Sequence, residues 1–274
     1  MIDDHLPDLQ NRVALVTGAN HGIGAATARV LAARGVSVIL TYLRLETPPD
    51  ACLPGEYATA RGSSADHVVE RIEAAGGRAV AMEADLADPA SPGELFDAAE
   101  RALGPVEILV NNASGWVADT FKPTSGGERG PNARAVSVET VERQLAVDVR
   151  GSALLISEFA RRHAERGASW GRIVGLTSGG PLGFPGEVSY GAAKAALESY
   201  TMSAALELAA LGVTANVVYP PVTDTGWVTD EVRRFVDDSR EHFHVARPEE
   251  VAEVVAWLAS DEARLVTANV IRMR

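Results

Sequence analysis

Arg12-Val13-Ala14-Leu15-Val16-Thr17-Gly18-Ala19-Asn20-His21-Gly22-Ile23-Gly24 decides how this chain folds. The apolar run up to Val16 is short enough for a buried strand. Three glycines follow at once, and then an alanine-rich helical stretch from Ala25 to Ala33. Strand, glycine turn and helix in that order are the setting a dinucleotide-binding turn requires. Gly18 permits the tight turn, Gly22 lets a pyrophosphate approach, and Gly24 lets helix and strand pack. The helix N-terminus then offers free N–H groups to the phosphates. The spacing is G-x-x-x-G-x-G, not G-x-G-x-x-G, so by itself the turn also fits a purely structural role.

Outward from this turn, strands and helices alternate. Strands are expected at Val36–Tyr42, Ala79–Ala84, Val106–Val110, Arg172–Leu176, Thr214–Tyr219 and Val270–Met273. Helices are expected at Ser64–Ala75, Glu94–Leu103, Val138–Glu165, Val188–Leu211 and Glu249–Ala259. Such alternation predicts an α/β fold, a parallel sheet with helices on both faces. It runs through 1–274 with no repeat and no second domain. Two stretches break it, about 45–63 with Pro48-Pro49 and Pro54-Gly55, and about 116–135 with Gly126-Gly127 and Gly130-Pro131. Turn formers without period predict long loops there.

A second motif carries chemistry. In Val188-Ser189-Tyr190-Gly191-Ala192-Ala193-Lys194, the tyrosine and lysine are four apart and share a helix face. An ammonium beside a phenol favours the phenolate, drawing the tyrosine pKa down from about 10. Such a phenol can exchange a proton with a carbonyl or hydroxyl oxygen, which a nearby serine, here Ser178, can hold. Alone, the pair also fits two solvent-facing side chains.

Composition narrows the class. The 274 residues are 46% hydrophobic, enough for a sizeable core. A net charge of −12 argues against nucleic acid or an anionic membrane as partner. The single Cys52 excludes an internal disulfide and fits a reducing, cytoplasmic setting. Met1-Ile2-Asp3-Asp4-His5 does not open like a signal peptide, and no apolar run is long enough to span a bilayer.

Taken together, these motifs resemble the short-chain dehydrogenase/reductase family over nearly the whole chain. Thr17-Gly18 to Gly24 is similar to that family's cofactor loop, with Asn20, His21, Gly22 and Ile23 inside it. Asp85-Leu86 resembles the pair that contacts adenine, and Asn111-Asn112-Ala113-Ser114 resembles N-N-A-G with serine for glycine. Ser178, Tyr190 and Lys194 match the catalytic serine, tyrosine and lysine. Pro220-Pro221-Val222-Thr223-Asp224-Thr225 resembles P-G-x-x-x-T, whose threonine holds the nicotinamide carboxamide. The resemblance implies a Rossmann-type, doubly wound sheet and hydride transfer between a nicotinamide and a small carbonyl or secondary alcohol. Ser178 would bond the substrate oxygen and Tyr190 would act as general acid or base. Lys194 would tune Tyr190 and bind the nicotinamide ribose. Thr177-Ser178-Gly179-Gly180 and Asp224-Thr225-Gly226-Trp227 most resemble 3-oxoacyl-carrier-protein-reductase-like members, with a specialised ketoreductase or a weakly catalytic cofactor-binding protein as alternatives.

NAD-preferring relatives carry an acidic residue at the end of the second strand. Here Tyr42 stands there, with Arg44 close by and His21 where NADP users often have a basic residue, so NADP(H) is favoured over NAD(H). Asp148 occupies the place of the family's asparagine, which supports a water on the lysine; an ionised carboxylate only accepts hydrogen bonds. Pro221 replaces a glycine, and the chain lacks the family's closing glycine pair, with Ala268 at one usual glycine. His242 and His244 read as ordinary polar residues, with no metal expected. Trp116 and Trp227 are candidate pocket walls, and about 222–246 falls where the family has its substrate lid. In the family the two long helices pair with a second subunit, and the small apolar residues of 188–211 spread over more than one face, so a homodimer or homotetramer is expected.

Overall fold

The computed structural model describes residues 9–45, 54–123, 134–179 and 182–274. The Val13–Thr17 run forms β1, and the glycine turn leads into helix α1, Gly22–Ala33. The remaining sheet strands are β2 (Ser37–Tyr42), β3 (Arg78–Glu83), β4 (Ile108–Asn111), β7 (Gly171–Leu176), β8 (Val213–Tyr219) and β9 (Val270–Arg272). All seven pair in parallel, in the order β3-β2-β1-β4-β7-β8-β9. The chain builds outward from β1 to β3, then returns to β4 on the other side. That reversal opens a crevice beyond the carboxyl ends of β1 and β4, where doubly wound sheets bind their ligands.

Parallel strands covered on both faces should be apolar throughout, and β1, β4 and β7 are buried at every position. One face is covered by α1, α3 (Asp66–Ala74) and α9 (Pro248–Leu258), around Leu31, Val38, Ile72 and Val255. The other carries α4 (Ser91–Ala102), α6 (Ser152–Glu165) and α7 (Val188–Glu207), around Leu95, Phe96, Leu155 and Phe159. Phe96 and Phe159 are fully buried, and truncating either to alanine should cost about 3–5 kcal/mol.

Three expectations are corrected. The stretch 45–63 is not all loop, because Gly55–Gly62 forms helix α2. Its six inner residues, Glu56 to Arg61, are mostly good helix formers, too few to show a period. Residues 46–53, with Pro48-Pro49 and Cys52, lie outside the described residues. Within 116–135, β5 (Asp119–Thr120) pairs with β6 (Arg134–Ala135), and 124–133, including Gly126-Gly127 and Gly130-Pro131, lie outside the described residues. The helix expected at Val138–Glu165 is α5 (Val138–Leu145) joined to α6 by a π turn at Ala146–Gly151. The expected lid holds a helix, α8 (Asp230–Asp238), and its base is closed by pairing of Thr223 with Ala246. Among the described residues no helix is long and apolar enough to cross a membrane.

Candidate active site

The ends of β1 and β4 are stitched together by Thr17. Its hydroxyl donates to the Val110 carbonyl at 3.2 Å and accepts from the amides of Asn112 and Ala113, both at 2.9 Å. Asn112 Nδ2 then donates to the carbonyls of Thr17 and Gly18, at 2.8 and 3.0 Å. Asn112, expected to hold a cofactor, thus also holds the glycine turn. Gly18 has φ +63°, which only glycine adopts freely, and a Cβ on Gly24 would lie 2.2 Å from the Gly18 carbonyl oxygen. The turn is therefore closed to any side chain at these two places.

A cavity of about 440 Å³ opens above it, lined by Gly18, Asn20, His21, Gly22, Ile23, Tyr42, Asp85, Leu86, Ala113, Ser114 and Thr225 among others. Glycine-turn residues, the free end of α1 and the β3 and β4 ends thus share one wall. This is a donor-rich cradle at a helix N-terminus, and it fits the diphosphate and adenosine of a dinucleotide. Trp116 lines the same cavity, whereas Trp227 lies outside its wall and donates from Nε1 to the Thr223 carbonyl at 2.9 Å. Pro220, Val222 and Thr223 also lie outside that wall. Thr223 is buried, its hydroxyl donating to the Pro221 carbonyl at 2.8 Å, and the Ala246 amide donates to the Val222 carbonyl at 2.8 Å. Val222 and Thr223 thus belong to the frame that carries Thr225, whose amide donates to the Thr223 carbonyl at 3.1 Å.

Arg44 differs from expectation. Its Nε and Nη2 donate to Glu83 at 3.0 and 2.6 Å, and it does not line the cavity. Tyr42 and Glu83 are paired across β2 and β3, so the guanidinium beyond Tyr42 meets that carboxylate. The cavity's arginine at this end is Arg61, on α2, a residue the sequence reading did not single out. Its guanidinium lies 5.7 Å from the Tyr57 ring centre and has no carboxylate partner among the described residues. Asn20 Nδ2 anchors α2 by donating to the carbonyls of Ala60 and Ser63, and the His21 ring meets Tyr57 edge-on at 5.6 Å. Burial, then the charge of Arg61, holds His21 down at about 4.

The proton-transfer candidates form a second cluster that adjoins this cavity through Ser114 and Gly115. Tyr190 and Lys194 lie in α7, whose first turn is held by the buried Asp119, accepting from the Ser189 amide at 2.9 Å. Ser178 follows β7, and its side chain favours the Tyr190 phenolate, pulling that pKa down. Phe184 packs 5.8 Å from the Tyr190 ring, and Lys194 Nζ lies 5.5 Å from the same ring centre. Asp148, from the π turn, is fully buried with its Oδ1 at 3.0 Å from Lys194 Nζ.

These charges act on one another. Burial raises the Tyr190 phenol above its ordinary value; Lys194 pulls it down, but Asp148 and Glu187 push it up again, so the net direction is upward. The expected lowering by Lys194 is present and outweighed. For Lys194, burial disfavours the ammonium, yet Asp148 and Tyr190 carry it above the usual lysine value. His244 bonds to Glu250 at 3.0 Å and the His242 ring lies 6.2 Å from Phe235; neither joins a group of three metal-ligating side chains among the described residues.

Residues 12–54 match the family model described as short chain dehydrogenase, and 57–273 the one described as Enoyl-(Acyl carrier protein) reductase. Cis-4-hydroxycyclohexanecarboxylate dehydrogenase of Sinomonas cyclohexanicum is 36% identical over 264 residues, 95% of this chain and 94% of the relative. The 3-oxoacyl-[acyl-carrier-protein] reductase of Synechocystis is 32% identical over 260 residues, 93% of this chain and 92% of its own. Among solved structures, a short chain dehydrogenase from Burkholderia cenocepacia J2315 in complex with NADP superposes with a TM-score of 0.79 at 30% identity, covering 97% of each chain. Sheet order, glycine turn and full-length similarity agree, and the chain is an oxidoreductase of the short-chain dehydrogenase/reductase family.

Proposed function

We propose that this protein interconverts a small carbonyl compound and its secondary alcohol with a nicotinamide cofactor, preferring NADP(H). The observation that carries the reading is the cluster of half-buried Ser178 and Tyr190 with buried Lys194, whose Nζ lies 5.5 Å from the Tyr190 ring centre, beside the glycine-turn cavity. A bound nicotinamide supplies the hydride in reduction and accepts it in oxidation. Ser178 holds the substrate oxygen by its hydroxyl. Tyr190 delivers its phenolic proton to that oxygen in reduction and removes it in oxidation. The raised phenol pKa keeps Tyr190 protonated near neutrality, the form reduction uses, while oxidation gains as pH climbs. Lys194 keeps its charge against Asp148 and steadies the phenolate that forms when the proton leaves.

The preference for NADP(H) rests on the absence of an acidic residue at Tyr42 and on the guanidinium of Arg61 in the cavity wall, which has no carboxylate partner among the described residues. Arg44, engaged with Glu83, supports it less than its position in the sequence does. The Burkholderia neighbour's NADP is consistent with this choice. The similarity to a hydroxycyclohexanecarboxylate dehydrogenase and a 3-oxoacyl reductase supports an aliphatic or alicyclic ketone as substrate. Exposed Tyr200 and Leu206 on α7 support a homodimer or homotetramer through that helix. A panel of cyclic ketones and 3-oxoacyl thioesters, followed by NADPH and NADH oxidation, tests the reading; no turnover of either kind with either cofactor contradicts it.

A further inference from the structure

Three donors converge on one oxygen of Asp148, and the ammonium of Lys194 pairs with the other. Oδ2 accepts from Gln144 Nε2 at 2.8 Å, from the Gly115 amide at 2.8 Å and from the Ser114 hydroxyl at 3.2 Å. That leaves Oδ1 to Lys194, at 3.0 Å. Gln144 and Asp148 are both fully buried and Lys194 is 2% exposed, so the cluster is closed to bulk solvent. A buried carboxylate needs such a set, since an ion out of water is costly unless every lone pair is met.

Gln144 is oriented by a second bond. Its Oε1 accepts from the Val117 amide at 2.8 Å. An amide has one acceptor end and one donor end. With the acceptor end taken by a backbone N–H, the donor end must face Asp148, and a flip would lose both contacts. Gln144 also precedes Asp148 by four residues, one turn before the π turn swings the carboxylate inward.

We propose that Gln144 is a positioning residue that fixes Asp148 as a direct ionic partner of Lys194, in the place where an asparagine would support a water. This rests on the proposed reading of Lys194 and Tyr190 as the proton-transfer pair. Gln144 acts through Asp148 and touches neither the reacting atoms nor Tyr190. The consequence is that the charge on Lys194 depends on a side-chain clamp built from α5 and the β4 end.

Two readouts test it. In denaturant titrations, Gln144→Leu should lower the unfolding midpoint clearly in the native background and much less beside Asp148→Asn, where no charge needs the donor. Equal losses in both backgrounds overturn the proposal, because they mean that Gln144 serves only Val117; this readout holds whatever the protein turns over. In ketone reduction, Gln144→Leu should lower kcat by about tenfold with the cofactor KM little changed. Gln144→Glu is nearly isosteric, and two carboxylates sharing a site hold one proton between them. It should therefore approach native turnover as pH falls, while Gln144→Leu does not. Native kcat in Gln144→Leu, or the same pH profile for both variants, overturns the proposal.

Discussion

Lys194 Nζ and Asp148 Oδ1 lie 3.0 Å apart with both side chains buried, an ion pair inside the cluster proposed to transfer the proton. The carboxylate does two opposed things. It keeps Lys194 charged, which favours the phenolate of Tyr190, and it adds a negative charge that disfavours it.

Asp148→Asn removes both effects and shows which of them dominates at the phenol. Removing the negative charge should lower the Tyr190 pKa, so alcohol oxidation should reach its plateau at lower pH than in the native protein. The pH profile of kcat for oxidation checks this. A profile unmoved or shifted to higher pH would mean that the carboxylate does not act on the phenol.

Cofactor choice turns on Arg61 in this account. Arg61→Ala should weaken NADPH binding by about tenfold, the loss of one charge-assisted contact, and leave NADH nearly unaffected. Arg44→Ala should change the ratio little, because its guanidinium already serves Glu83. Fluorescence titration of both variants with both cofactors decides. A selectivity lost in Arg44→Ala and kept in Arg61→Ala would reverse the assignment.

His21 links stability to pH. Its folded pKa of about 4 lies below the 6.5 of an unperturbed histidine, so between these values the unfolded chain binds the extra proton. Stability therefore holds above about 6.5, falls as pH drops towards 4, and levels off below, by up to about 3 kcal/mol in all. His21→Asn should flatten that part of the curve. Parallel curves for the two proteins would show that His21 does not carry the effect.

Local elements are legible in the sequence. The β1 strand, glycine turn and α1 depend on neighbours within about a dozen residues, and Tyr190 and Lys194 on helical spacing alone. The engagement of Arg44 is not legible locally, because its partner Glu83 belongs to β3 and only the register of β2 on β3 brings the two together. Arg61 was missed because α2 is one short helix among turn formers, and Asn20 fixes it over the cavity by bonds that no pattern shows. Asp148 was recognised by position, yet its direct contact with Lys194 depends on the π turn, which has no periodic signature. Gln144, four residues earlier, was within reach of helical spacing, but its role appears only once Val117 and Ser114 fold beside it.

The central claim is that Tyr190 is the group that passes the proton. The direct measurement is single-turnover ketone reduction by Tyr190→Phe, alongside cofactor affinity in the same variant. The account predicts loss of nearly all turnover with affinity close to native, because only the phenolic O–H is removed. A variant that keeps more than about a tenth of native kcat, a difference worth only ~1.4 kcal/mol of barrier, would contradict it.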